Sequence, residues 1–186
     1  GGVLVSFATG KALSSSDFPD TSGRPHSVYG IWDKTAYTTM DIAALDDAAT
    51  GLPRLRAQLV ARTLTRQTSG DGFVEGIAIN WASKMGWYVN LPATSEMVVS
   101  NLQVTSLKLL SVVSIAPPSG ATSCSSAPDA YITFVDPITG LLNQNLMGEL
   151  AVVVDGVSVK KRVASKKLAS GDQMVTIAKD RTPKGT

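Results

Sequence analysis

The stretch AYITFVDPITG, residues 130–140, joins a β-type run to a tight turn. Its first half is rich in aromatic and β-branched residues, which favour strands. In the second half, Asp136 can accept hydrogen bonds from backbone N–H groups two or three residues ahead, Pro137 fixes φ, and Gly140 suits the left-handed conformation. The stretch therefore predicts a strand that ends in a turn, as in a β-hairpin.

Short apolar runs of this kind, separated by Gly, Pro, Asn, Asp and Ser, recur along the chain. The clearest hairpin spans residues 150–159, where Asp155-Gly156 supplies the positive φ angles of a type I′ turn. Leu59–Thr68 alternates in the manner of a half-buried strand. Val3–Thr9 is predicted as a buried strand. Further strands are predicted at Ser27–Asp33, Val74–Trp81, Gly86–Leu91, Met97–Val104, Leu109–Ile115, Ala130–Val135 and Met174–Ala178.

Helix is expected only in short pieces. Thr39–Ala49 has helix formers and acidic residues, and Pro53–Gln58 is typical of a first helical turn that begins with proline. No pattern of long helices alternating with strands is present, which argues against a parallel α/β sheet. Strands this closely spaced fit a sandwich, a barrel or propeller blades, and the spacing alone does not choose among them.

Composition narrows the classes of protein. Of the 186 residues, 44% are hydrophobic and 17% charged, which fits a globular chain. A net charge of +2 is too small to favour nucleic acid or membrane surfaces as partners. Apolar stretches such as Leu107–Pro118 fall well short of the roughly 20 residues that span a bilayer, so no transmembrane segment is expected. The first residues lack the basic segment of a signal peptide, so any export signal is expected upstream.

Four segments follow one another along the chain: SFATGKAL (6–13), SVYGIWDK (27–34), KMGWYVNLP (84–92) and FVDPITG (134–140). Taken in this order, they resemble the C-terminal propeller of the PilC/PilY-type proteins, the tip-located adhesins and biogenesis factors of type IV pili. The match covers about residues 3–142. Its specificity lies in the combination and order of the segments rather than in any one of them.

The resemblance implies an all-β fold of antiparallel four-stranded blades, part of a quinoprotein-like β-propeller with one or two short helices. Blades are expected over residues 1–148, and a final hairpin, last strand and basic tail over 149–186. If the chain supplies only part of a propeller, its strand edges are expected to be exposed or paired with sequence outside it. Functional contacts are expected on the loops at 14–25 and 117–129.

The resemblance also implies a non-enzymatic role in pilus (fimbrium) biogenesis, surface attachment and twitching motility. The protein is then exported by a bacterium and located at the pilus tip or at the outer membrane. Minor pilins or other pilus subunits, and a host or abiotic surface, are the expected partners. Nucleic acid is not expected as a partner.

No catalytic, cofactor-binding or metal-binding residue is predicted. His26 is the only histidine, and no G-x-S-x-G motif accompanies it. Cys124 is the only cysteine, and pairing outside the chain and an unpaired thiol both stay open. The acidic residues lack the spacing of a calcium loop, so no calcium is expected within this chain. The resemblance leaves calcium open elsewhere in the full-length protein. The acidic residues cluster at Asp17 and Asp20 and at Asp41, Asp46 and Asp47.

Five aromatic residues are predicted to pack in the core rather than to stack on a ligand. They are Tyr29, Trp32, Trp81, Trp87 and Tyr88. Five basic residues near the end form a group interpreted as a solvated strand end or the start of a tail, with contact to an anionic surface as the alternative. They are Lys160, Lys161, Arg162, Lys166 and Lys167.

Two other functions stay open. A quinoprotein-like dehydrogenase propeller rests only on the D-x-x-T-G unit at residues 136–140. A carbohydrate-binding β-sandwich requires Trp87 or Trp32 to be exposed.

Overall fold

The computed structural model describes residues 2–10, 24–33, 55–117 and 128–169. These residues are almost entirely strands and connecting segments, which confirms the all-β prediction. The strands are β1 (Val3–Ala8), β2 (Ser27–Asp33), β3 (Val60–Arg66), β4 (Gly72–Glu75), β5 (Gly86–Asn90), β6 (Met97–Val98), β7 (Gln103–Val104), β8 (Leu110–Ala116), β9 (Asp129–Val135), β10 (Glu149–Val154), β11 (Val157–Arg162) and β12 (Ser165–Lys167).

Ten of these strands form one hydrogen-bonded sheet, in the order β1-β2-β5-β3-β4-β12-β9-β8-β6, with β7 beside β8. The sheet curves into a nearly closed, barrel-like form. Its described pairs are antiparallel except for β3 and β5, which run parallel. The prediction of antiparallel pairing is therefore wrong for β3 and β5. The reason is that β4 returns along one side of β3 before the chain crosses to the other side of β3 as β5. The division into propeller blades stays a prediction.

The short strand β12 joins the two halves of the sheet. Ser165 pairs with Gly72 of β4 on one side and with Thr133 of β9 on the other. The backbone N–H of Ala164 donates to the carbonyl of Gly72 at 2.8 Å, which extends the junction by one residue. This strand was not predicted, because three residues that include two lysines show neither alternation nor high β propensity.

Strands β10 and β11 form a separate two-stranded sheet. Asp155 and Gly156 adopt φ values of 50° and 80°, which confirms the predicted turn. Of the strands after the boundary expected at residue 148, the hairpin stands apart from the larger sheet, but β12 lies inside it. The boundary therefore stays a prediction.

Two predicted strands have different limits in the structure. The strand expected at Val74–Trp81 begins at Gly72 and ends at Glu75, because the carbonyl of Ile77 accepts a hydrogen bond from Arg62 and leaves the sheet ladder. The strand expected at Met97–Val104 is divided into β6 and β7 around Ser100 and Asn101.

The predicted short helices fall largely outside the described residues. Thr39–Ala49 lies there entirely, as does the predicted strand Met174–Ala178. Of Pro53–Gln58, the described part contains a 3-10 turn at Arg56–Gln58, which agrees with the expected helical turn.

The core is built around Trp87, which has no exposed surface. Gly30 faces it across β2 and β5, and Gly140 lies against its ring. The indole Nε1 donates to the carbonyl of Pro137 at 3.0 Å. Three of the segments that carry the family resemblance therefore meet at one buried ring.

The turn that holds Gly140 has the chemistry predicted for it. The Oδ1 atom of Asp136 accepts hydrogen bonds from the backbone N–H groups of Ile138 and Thr139, both at 2.8 Å. Gly140 adopts a φ of 68°. The turn thereby fixes the position of the Pro137 carbonyl that receives the Trp87 hydrogen bond.

A second buried feature is an ion pair between Arg66 and Glu96. Their two contacts measure 2.6 and 2.8 Å, and the exposed fractions of the two side chains are 8% and 0%. The hydroxyl of Ser114 also donates to Glu96, at 2.5 Å. Arg66 Nε donates to the Ser165 hydroxyl at 3.0 Å, and the guanidinium lies 3.8 Å from the ring centre of Tyr131. This network ties β3, β8, β9 and β12 together.

Candidate interaction surface

Strand β1 lies at one end of the sheet and pairs only with β2 among the described strands. Its side chains alternate between the core face and the outer face. The outer set is Val3, Val5 and Phe7, which are 50%, 45% and 41% exposed. The prediction that Val3–Thr9 is a buried strand is therefore wrong, because an end strand has one face without a covering layer.

The outer face carries a row of three aromatic rings across neighbouring strands. Phe7 pairs with Tyr29, and Tyr29 pairs with Tyr88. The first two rings stack with centroids 4.9 Å apart and planes 13° apart. The centroids of Tyr29 and Tyr88 are 6.2 Å apart. Such ring pairs contribute about 0.5–1.5 kcal/mol beyond burial of their area.

Arg56 lies at the Tyr88 end of this row. Its guanidinium carbon lies 3.8 Å from the ring centre of Tyr88 and 5.6 Å from that of Tyr29. Its Nη2 atom donates to the Ser27 hydroxyl at 3.0 Å and to the Asn90 side chain. The row therefore ends in a fixed cation on the β5 side and in the exposed Phe7 on the β1 side. We call Val3, Val5, Phe7, Tyr29, Tyr88 and Arg56 the β1 surface.

The sheet remains open beside this surface. Its strand order begins with β1 and ends with β6, so these two strands are not paired with each other. A cavity of about 290 Å³ separates Ser6–Ala8 from Val98–Leu102. Within the described ranges, the structure agrees with the prediction of exposed strand edges. An unpaired edge offers backbone N–H and C=O groups to a strand from another chain.

The aromatic residues named from the sequence do not share one environment. Trp87 is buried, as predicted, whereas the other four are only partly buried. Core packing is thus wrong for Tyr29 and Tyr88, because they alternate with the inward-facing Val28 and Trp87 and so point outward. Trp32 and Trp81 contact each other at an open pocket, with centroids 5.4 Å apart.

The basic residues named from the sequence are divided between β11 and β12. Lys161 pairs with Glu75, and Lys167 lies 2.7 Å from Asp129. The hydrogen bond to Asp129 raises the pKa of Lys167. Acidic partners thus offset part of the positive charge, and the five residues do not form one basic patch.

The remaining named residues lie apart or outside the described ranges. The ring of His26 packs against Gly10, where an added Cβ would lie 2.3 Å from it. Cys124, the five aspartates named above and most of both predicted functional loops fall outside the described residues. In the described part of the chain, no group of three or more His, Cys, Asp or Glu side chains is placed to hold a metal ion.

Among the described residues, no helix is both long enough and apolar enough to cross a membrane.

A buried arginine lies behind the Asp136 turn. Arg62 is 3% exposed, and its Nε donates to the Thr139 carbonyl at 2.8 Å. Its Nη1 donates to the Ile77 carbonyl, and Nη2 has no hydrogen-bond partner among the residues that the structure describes. Burial lowers the pKa of Arg62. The side chain therefore links β3 to two loops through backbone carbonyls.

We expect Arg62→Lys to lower the free energy of unfolding by about 1–3 kcal/mol, since one ammonium group cannot reproduce the geometry of two guanidinium contacts. Urea unfolding of the purified chain measures the change. The matched control is Arg162→Lys, because Arg162 is exposed and should tolerate the exchange within about 0.5 kcal/mol. Equal stability of the two variants would contradict a linking role for Arg62.

No protein-family model matches the chain, and neither the curated proteins nor the solved structures give a significant match. The candidate surface therefore rests on the geometry and on the residues themselves.

Sequence reasoning missed the β1 surface as a unit. Phe7, Tyr29 and Tyr88 come from three separate segments, and only the strand register brings their rings together. The alternation of Val5 and Phe7 with the smaller Ser6 and Ala8 was the one available signal. Arg56 gave none, because its role depends on the fold placing it over Tyr88.

Proposed function

We propose that this chain is a non-enzymatic binding module of a type IV pilus tip protein, acting in pilus assembly and surface attachment. The motif resemblance over residues 3–142 gives the biological context. The observation that carries the proposal is the edge of β1, which has no partner strand among the described residues, together with the exposed apolar side chains of the β1 surface. A pilin-like subunit adds a strand along β1, into the opening between β1 and β6.

The chemistry of the edge suits strand addition. Backbone hydrogen bonds from β1 give affinity with little dependence on the partner's sequence. Val3, Val5 and Phe7 then contact every second side chain of the added strand, those that point to the same face of the sheet. The row of rings behind Phe7 holds that residue in place, so the apolar strip is ordered before the partner arrives.

In this proposal the protein is exported and located at the pilus tip or the outer membrane. Minor pilins or other pilus subunits bind the β1 surface. A host or abiotic surface is contacted by other parts of the molecule, for which the sequence predicts the segments 14–25 and 117–129, largely outside the described residues. Twitching motility then depends on the chain through pilus assembly.

We expect Val5→Lys in the full-length protein to reduce surface pili, attachment and twitching in the bacterium of origin. A lysine on an open strand edge opposes the addition of an apolar strand, while a side chain that is 45% exposed tolerates the change without loss of the fold. Electron microscopy of pili, a binding assay and a motility assay give the readouts.

The matched control is Val153→Lys, since Val153 is 75% exposed on the separate β10–β11 hairpin. Equal effects of the two substitutions would rule out β1 as the contact strand. Normal piliation and attachment after deletion of the region encoding this chain would rule out the pilus role altogether. Visible absorbance and dehydrogenase activity after addition of a quinone cofactor would favour the enzyme alternative instead.

A further inference from the structure

The partly buried pair Trp32 and Trp81 lines a pocket at one end of the sheet. The other lining residues are Gly2, Leu4 and Ile138, and the cavity holds about 440 Å³. We call these five residues the Trp pocket. Its volume lies within the roughly 300–1,000 Å³ of typical small-ligand sites, which often occupy the open ends of curved sheets.

Strand register explains why the pocket opens from the inner face of the sheet. Leu4 pairs with Trp32, just as Ser6 pairs with Gly30 and Ala8 with Val28 further along the same two strands. Val28 belongs to the core, so Leu4 and Trp32 face the same side as the core. In the part of the chain that the structure describes, the Trp pocket is therefore the end of the inner face that the core does not fill.

Gly2, directly before β1, allows the Trp32 ring to lie close to the backbone there. A Cβ atom at Gly2 would lie 2.3 Å from Trp32 Nε1, and the φ of Gly2 is 151°. The Trp32 and Trp81 rings meet at 84°, with centroids 5.4 Å apart. One ring thus presents its face where the other presents its edge. The side chain of Ile138, 54% exposed on the Asp136 turn, forms a further wall.

The lining side chains carry no charge. A saccharide placed against these walls would bury hydroxyl groups beside apolar atoms, which costs about 1–3 kcal/mol for each group left without a partner. An aromatic ring avoids this cost. It also gains from both geometries that the tryptophan pair offers, stacking on one ring and meeting the edge of the other.

We propose that the Trp pocket binds an uncharged planar aromatic group. This inference goes beyond the proposed function, because it involves neither β1 edge pairing nor any pilus subunit. The group can belong to a free aromatic compound or to an aromatic side chain of another protein. Its chemistry is the same in both cases.

The test is a titration of the 186-residue chain, labelled with ¹⁵N, with indole. We expect saturable shifts of the indole N–H signals of Trp32 and Trp81. The signal of Trp87 serves as an internal reference and should stay in place, since its Nε1 is hydrogen-bonded to the Pro137 carbonyl inside the core. Methyl β-D-glucoside at the same concentrations should shift none of the three.

A second arm separates the two sources of the aromatic group. Tighter binding of N-acetyl-L-tryptophanamide than of indole supports a side chain of a protein partner, because the amide groups then add contacts. Equal or weaker binding of the amide supports a free compound.

Ile138→Asp should weaken indole binding about tenfold, because it places a charge on an apolar wall of the pocket. Leu107→Asp is the matched control, since Leu107 is also exposed but lies in the turn before β8, and it should leave binding unchanged. Absence of saturable shifts with indole would overturn the proposal, as would shifts caused by the glucoside alone. Neither result would bear on strand addition at β1.

Discussion

Replacing Glu96 with glutamine is expected to lower the free energy of unfolding by about 3–5 kcal/mol. The carboxylate has no exposed surface and makes two contacts with Arg66, whose side chain is itself only 8% exposed. The amide of glutamine offers one acceptor where the carboxylate offers two. The guanidinium is then left inside the protein without a counter-charge, which is the main source of the loss.

Urea unfolding of the purified chain measures this loss. Glu149→Gln is the matched control, because the Glu149 side chain is 41% exposed and lies 4.0 Å from Lys160, so it should change stability by less than about 0.5 kcal/mol. The double variant Arg66→Met, Glu96→Met should recover much of the loss, since apolar residues of similar size replace both charges. If Glu96→Gln matches its control, the buried pair does not hold the sheet together.

Gly140→Ala is expected to cost about 2–5 kcal/mol, from two causes that add. Gly140 has a φ of 68°, which an alanine adopts only at a cost of about 1–2 kcal/mol. The added Cβ would also lie 2.4 Å from Cδ2 of Trp87. The ring cannot move away freely. Gly30 lies against its Nε1, Cε2 and Cζ2 atoms, and its Nε1 donates a hydrogen bond to the Pro137 carbonyl.

Gly156→Ala separates the two causes. Gly156 has a φ of 80°, and apart from its chain neighbours no atom of the described residues lies within 4 Å of an added Cβ, so only the backbone cost of about 1–2 kcal/mol should appear. Thermal and urea unfolding of both variants give the comparison. Equal losses would mean that Trp87 does not confine Gly140.

Local chemistry made much of the fold predictable. The Asp136 turn and the Asp155-Gly156 turn depend on residues close in sequence, and both have the conformation that their residues favour. The strands β2, β5 and β9 also begin and end within a residue of their predicted limits, because β-branched and aromatic runs are bounded there by turn residues.

The pairing of distant strands was not predictable in the same way. The parallel contact of β3 and β5 and the place of β12 depend on which edges are free after the hairpins have formed. The same limit applies to the candidate sites. Alternation along β2 indicated that Tyr29 and Trp32 face opposite sides, but not which side would be covered.

The position of β12 has a consequence for synthesis of the protein. Among the described strands, residues 165–167 alone lie between β4 and β9 in the sheet order, so the two halves of the sheet cannot join until this segment has left the ribosome. Until then β4 and β9 each present an uncovered edge, which favours association with other nascent chains. A holding chaperone that shields these edges is therefore most useful during the last stage of chain emergence.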